Sequence, residues 1–345
     1  SPTLLRRAFD QEREEDLAAI TSSLARQRWL VPDGDHFRFA RPALREAVLS
    51  ALSPASRKRL HGIAAAGLAP RPGEKASVGM GTRRAWHLRE AGDFHALLSS
   101  VRSLIRALNE RGQPQRTASL ADWGLEALSA IESETPQRFT LEYRNMRLGL
   151  LEQAVDCANR LGAREKERRL LDSLAELGID TDSDPFRTAR IYLLFGRHAG
   201  DTGAYGIARG LLRNAHEFAV AAGRPLFASR ALARLAEVLA ESGDLKAARE
   251  HATKAWEIAK DSEPTRDQPA VLAGAELTLA HVSVLQGKPD KALLHVDSAL
   301  AILRHEQSYL EPSLRARAHL LRARIWRDLG RPERARGSAH KAREL

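Results

Sequence analysis

Residues 243–255 read GDLKAAREHATKA: Gly243, Ala248 five residues on, and Ala255 seven after that. The same frame returns as Gly203, Ala208, Ala215, as Gly287, Ala292, Ala299 and as Gly330, Ala335, Ala342. Successive glycines stand 40, 44 and 43 residues apart. A fixed period of this size marks a supersecondary unit that buries its apolar face only by stacking on copies of itself. The fold is therefore expected to be a run of helical hairpins, a surface for holding something rather than a reaction centre.

The residues around each frame carry the reading further. Leu232, Leu235 and Leu239 recur at helical spacing, break at Ser242-Gly243-Asp244, and resume as Ala248, Ala252, Ala255 and Ile258. Tyr192, Phe195 and Ala199 precede Gly203; Leu279 and Val282 precede Gly287; Leu321, Ile325 and Trp326 precede Gly330. Gly suits the left-handed residue that ends a helix, and Pro289 and Pro332, each two residues after the glycine, suit the first turn of the next. The alanines mark where paired helices approach closely.

This pattern resembles the tetratricopeptide repeat family over about 189–345, with a weaker unit at 148–178 that has Gly162 at its turn. The family period is about 34 residues, so these units carry roughly one extra turn per helix. Long units of this kind are similar to the sensor solenoids of large bacterial regulatory ATPases. The resemblance implies that the first helix of each pair lines a concave face. Mapped onto these units, that face takes Arg190, Leu193, Arg197, Arg230, Arg234, Glu237, His281, Arg317, Arg324 and Arg327. Its candidate ligand residues are Arg190, Arg197, Arg230, Arg234, His281, Arg317 and Arg324. Several guanidinium groups on one cavity suit the carboxylates or phosphates of a partner, while Glu237 and Glu241 partly neutralise them.

The first 75 residues do not follow the repeat. An amphipathic helix is expected from Asp16 to Arg28, then a hairpin about Asp33-Gly34-Asp35, then helices opening at Pro42 and Pro54. Helix, hairpin and helix in about 60 residues reads as a winged-helix-like module. Leu30-Val31, Phe37-Arg38-Phe39, Pro42 to Val48 and Arg59 to Ala64 resemble the winged helix after the nucleotide-binding domain of signal-transduction ATPases with numerous domains. The chain departs from that family at Arg41, where the family carries His. Residues 85–93 resemble the first hairpin of their sensor arm. Three helices, broken at Gly92-Asp93 and at 112–114, are expected across about 78–140. The domain reading is thus 1–75 winged-helix-like, 76–140 irregular hairpins and 141–345 solenoid, all-α but for one β-hairpin.

Composition narrows the function. Aromatics are 5% of residues, which suits thin helix-on-helix packing. One cysteine, Cys157, excludes an internal disulfide and fits a cytoplasmic protein. No apolar run approaches the ~20 residues that span a bilayer. Net charge is +10, with 45 Arg against 9 Lys. That balance leaves open a nucleic-acid-binding module using the basic winged helix and the Arg-rich groove. Arginines interleaved with acids, as in residues 164–169 (REKERR), favour solvated helix faces instead.

No G-x-x-x-x-G-K-[ST], G-x-S-x-G or H-E-x-x-H occurs, so neither a phosphate cradle nor a hydrolytic centre is expected in this segment. Residues 326–329, WRDL, match a kinase catalytic loop only superficially. The three aspartates at 180, 182 and 184 lack the Gly and closing Glu of a calcium loop, and a capped helix start at Asp184-Pro185 is expected there. No cofactor or metal is expected. The expected function is a non-catalytic sensor or scaffold that binds a protein, a peptide or a small inducer and relays to an upstream nucleotide-binding domain. The chain opens on Ser1 rather than Met, and Ala339, Ala342 and Leu345 stay apolar in the last unit. From these a segment of a larger protein is expected, with its last repeat covered by further repeats or by a second copy.

Overall fold

The computed structural model describes residues 14–33, 36–70, 77–138, 140–177, 184–304 and 311–344. Among them lie sixteen α-helices and one two-stranded hairpin. By compactness the chain divides into two units: 1–109 with 113–153, and 110–112 with 154–345.

The first unit begins with α1 (Glu14–Arg26), β1 (Leu30–Asp33) and β2 (His36–Phe39). The strands pair antiparallel, Leu30 opposite Phe39 and Asp33 opposite His36. The Gly34-Asp35 turn expected from the sequence lies outside the described residues. Arg28 takes a left-handed conformation, φ 58°, where α1 turns into the hairpin. Helix α2 (Pro42–Ala51) opens on Pro42 as expected and buries none of its side chains. Helix α3 (Pro54–Gly67) is capped by Ser53, whose Oγ accepts from the Ser56 amide at 3.1 Å. The order helix, hairpin, helix, helix is the expected one.

Helices α4 (Val78–Ala91), α5 (Phe94–Asn109) and α6 (Pro114–Glu134) then supply a core, with Leu97, Leu108, Leu120 and Leu128 fully buried. Their breaks fall at Gly92 and Gly112, both left-handed, as the sequence suggests. A 3-10 turn (Pro136–Arg138) leads to α7 (Leu141–Arg160), which enters the second unit at its C-terminal end.

The second unit continues with α8 (Arg164–Glu176) and then four hairpins: α9 (Pro185–Asp201) with α10 (Tyr205–Ala221), α11 (Pro225–Glu241) with α12 (Leu245–Asp261), α13 (Gln268–Leu285) with α14 (Pro289–Ile302), and α15 (Glu311–Asp328) with α16 (Pro332–Arg343). Each second helix packs on the first helix of the next hairpin, and the first helices also touch in succession. The second unit is thus a tetratricopeptide-like helical-hairpin solenoid.

The repeat frame explains this geometry. The amide five positions along closes each turn onto the helix before it: Ala204 to Ala199 O at 2.8 Å, Asp244 to Leu239 O at 2.9 Å, Lys288 to Ser283 O at 2.9 Å and Arg331 to Trp326 O at 2.8 Å. This closure needs a left-handed residue, and Gly243 supplies it at φ 91°. The frame alanines of the first three hairpins, Ala208, Ala215, Ala248, Ala255, Ala292 and Ala299, are wholly buried. Ala335 and Ala342 in the last hairpin are half-buried. Helix approach is so close at Gly196 that a Cβ there would stand 2.7 Å from the Leu212 side chain. Among the described residues no helix is long and apolar enough to cross a membrane.

Candidate functional site

The first helices of the four hairpins turn one row of side chains to a common face. Asp201 ends α9, Arg234, Glu237 and Glu241 lie on α11 at helical spacing, His281 lies on α13 and Arg317 on α15. With Gly200, Tyr205 and Val238 they line one open cavity of about 520 Å³.

The polar groups there form a continuous chain. Asp201 accepts from Arg234 through one oxygen, and its other oxygen lies 2.9 Å from Arg164 and accepts from Asn159 at 3.0 Å. Arg234 donates to Glu237 at 2.7 Å. The other oxygen of Glu237 accepts from Arg317 and, at 3.1 Å, from the Thr278 hydroxyl. Arg317 lies 80 residues beyond Glu237 and ties the fourth hairpin to the second across the third. Glu241 meets His281 Nε2 at 2.8 Å.

Glu237 is only 9% exposed. Burial alone would raise its pKa, but the Arg317 and Arg234 guanidinium groups outweigh burial and hold it at about 2. A second buried carboxylate, Glu276 on α13, accepts from Trp256 at 2.9 Å and from Ser298 at 2.9 Å, and sits 2.6 Å from His295 Nδ1. There too burial acts upward, and the hydrogen bonds from His295, Ser298 and Trp256 win, so its pKa is lowered. Glu276 ties α12, α13 and α14 together away from the cavity.

These shifts set the acid response. The Glu237 pairing is fully present above its ordinary pKa of 4.5 and is lost as pH falls toward 2, a contribution on the order of 3 kcal/mol. His216, His251 and His319 are all held below 6.5, chiefly by burial, so the unfolded chain binds protons that the fold refuses as pH drops through 6.5. Urea unfolding followed from pH 8 to 3 should therefore lose stability in two steps. Glu237→Gln should shrink the step below pH 4.5 to the part that Glu276 supplies, and keep the one below 6.5. A variant curve parallel to the wild type throughout would contradict this assignment.

Of the residues expected to line a ligand groove, Arg234, His281 and Arg317 converge on the cavity, and Glu237 lies between them. The others do not line it. Arg197 pairs with Asp156 at 3.0 Å, with Nε and Nη2 buried and unpartnered. Arg230 is exposed, 5.6 Å over the Phe227 ring, and Arg324 is exposed on α15. Arg190 is half-buried on α9, Leu193 joins the apolar packing, and Arg327 meets its neighbour Asp328. Asp201, Asn159 and Arg164 belong to the polar chain and were not singled out from sequence. Their link to α11 joins residues 33 positions apart, Asp201 to Arg234, and leaves no local signature.

A second hollow of about 740 Å³ lies along α12, lined by Lys246, Arg249, Glu250, Thr253, Lys254, Glu257 and Gln286, with no buried charge among them. Among the described residues no group of three or more His, Cys, Asp or Glu is arranged to hold a metal. Cys157 is buried.

No protein-family model and no curated protein matches the chain. Solved structures do. The apo form of RapI aligns over 99% of this chain and 89% of its own, at 12% identity and a TM-score of 0.57. A Rap protein complexed with Competence and Sporulation Factor aligns over 77% of this chain and 76% of its own, at 12% identity and a TM-score of 0.51. A tetratricopeptide repeat protein from Parabacteroides merdae covers 78% and 93%, at 13% identity and 0.46. At such identities the likeness to the two Rap structures concerns the fold alone.

Proposed function

We propose that this chain is a non-catalytic interaction scaffold that takes a segment of a partner protein or peptide on the face built by α9, α11, α13 and α15. The carrying observation is the convergence of Asp201, Arg234, Glu237, Glu241, His281 and Arg317, from four successive hairpins, on one open cavity. Most of these side chains are already held by hydrogen bonds, so a partner meets groups whose ordering cost is largely met before binding. A Rap protein with this fold has been seen in complex with Competence and Sporulation Factor, which supports the fold's use as a holder.

The finer reading rests on the sequence resemblance. In it the solenoid is the sensor arm of a cytoplasmic signal-transduction ATPase, and a ligand that prefers one arrangement of the hairpins biases an upstream nucleotide-binding switch through the winged-helix-like module. Nucleotide titration of such a parent, with and without saturating ligand, should give different affinities; equal affinities sink the relay.

The scaffold reading is tested by panning a displayed peptide library against the full chain. Selected peptides should bind Arg317→Gln and Glu241→Gln about tenfold more weakly than wild type, a difference of about 1.4 kcal/mol. Undiminished binding of every selected peptide to both variants would place the interaction elsewhere.

A further inference from the structure

The charge count on the cavity changes what kind of partner fits it. The sequence suggests a cationic groove for acidic ligands. In the fold, Asp201, Glu237 and Glu241 bring three negative charges to the wall, and Arg234 and Arg317 bring two positive ones, with His281 beside Glu241. Both arginines are engaged by Glu237, and Arg234 by Asp201 as well.

The groups left over carry both signs. Arg317, its side chain 44% exposed, uses one nitrogen on Glu237, and its other guanidinium nitrogens have no hydrogen-bond partner among the described residues. Arg234 Nε is buried and unpartnered. With its two terminal nitrogens on Glu237 and Asp201 and its Nε out of a ligand's reach, Arg234 offers no open donor, and Arg317 is the donor that faces the cavity. Glu241, with a side chain 49% exposed, uses one oxygen on His281, and its second oxygen is an open acceptor. A ligand with negative charge alone satisfies Arg317 but approaches Glu241, Asp201 and Glu237. A ligand with positive charge alone meets Glu241 but is repelled by Arg317. Like-charge juxtaposition in such a site costs affinity, and the matched pattern avoids it. A volume near 520 Å³ holds a few side chains, not a whole helix.

We infer that the cavity recognises a short peptide motif carrying a carboxylate and an amine or guanidinium a few residues apart, the carboxylate going to Arg317 and the cation to Glu241. This rests on the scaffold reading and names the ligand class for the same site.

The test uses three fluorescein-labelled decapeptides in 50 mM salt, read by anisotropy: alternating Glu and Lys at every second position with Ser between, Glu with Ser, and Lys with Ser. The mixed peptide should bind at least tenfold more tightly than either single-sign peptide. Glu241→Gln, whose lost contact is a half-exposed one, should erase most of the advantage over the Glu peptide; Arg317→Gln should erase the advantage over the Lys peptide. Equal binding by the Glu peptide, an advantage unchanged in Glu241→Gln, or no binding by any of the three overturns the inference. The scaffold reading is judged apart from it, since a panned peptide of any composition that loses affinity on the variants upholds that reading.

Discussion

Glu237→Ala should destabilise the second unit by about 3 kcal/mol, the largest single loss expected from any charged position on the cavity. The carboxylate is buried, and it joins α11 to α13 and α15 through Thr278 and Arg317 while also fixing Arg234. Its removal leaves two guanidinium groups beside each other with no common counter-charge, and Arg234 with only Asp201. Glu241→Ala is the matched control: its pair with His281 is half-exposed, and its loss should cost under about 1 kcal/mol. Chemical unfolding of both variants measures the difference. Because hairpin stacks unfold repeat by repeat, hydrogen exchange should locate the loss in α11, α13 and α15. Equal losses in the two variants would mean that Glu237 braces nothing.

The second large effect tests the repeat frame. Ala248→Leu should cost about 3 kcal/mol, at the upper end for overpacking a tight core. Ala248 is wholly buried and packs in one apolar cluster with Leu232, Leu235, Leu239 and Ala255, where a leucine has no space without forcing α11 and α12 apart. The equivalent change at Ala335 should cost about 1 kcal/mol, because that alanine is half-buried. Arg249→Leu, one residue on and exposed, should stay within about 0.5 kcal/mol. A thermal or urea series over the three variants gives the ranking, and a loss at Ala335 equal to that at Ala248 would contradict the frame as the cause.

Much of the fold was legible because it is written locally. Gly243, Ala248 and Ala255 carry the turn and the helix approach within 13 residues, and the turn-closing hydrogen bonds span five positions. The hairpin around β1 and β2 was legible for the same reason. The cavity was legible only in part. Placing Arg234, His281 and Arg317 on the first-helix face required only the repeat phase. Knowing that Arg317 spends itself on Glu237 required the distance between the second and fourth hairpins, which no periodicity states. The same limit hid Asp201, whose partners come from α7, α8 and α11. Helix α13 gave the least help, since it is apolar nearly all round and buries Glu276 and Thr278 among alanines and leucines. A buried carboxylate there looks like an error in the pattern until Trp256, His295 and Ser298 are seen around it.

The acidic-ligand expectation shows how such limits matter for function. The sequence places the cations and two acids, Glu237 and Glu241, on the first-helix face, and leaves out Asp201 and which groups pair. Once Asp201, Glu237 and Glu241 are placed, the same arginines become halves of a compensated network, which is the ground for the two-sign motif proposed above.

The central claim is that a partner segment docks on the face built by α9, α11, α13 and α15. Hydrogen-exchange mass spectrometry of the full chain, with and without a saturating panned peptide, tests it most directly. The account predicts added protection in α11, α13 and α15 around Glu237, His281 and Arg317, with α10, α12, α14 and α16 unchanged. Protection confined to those second helices would contradict it.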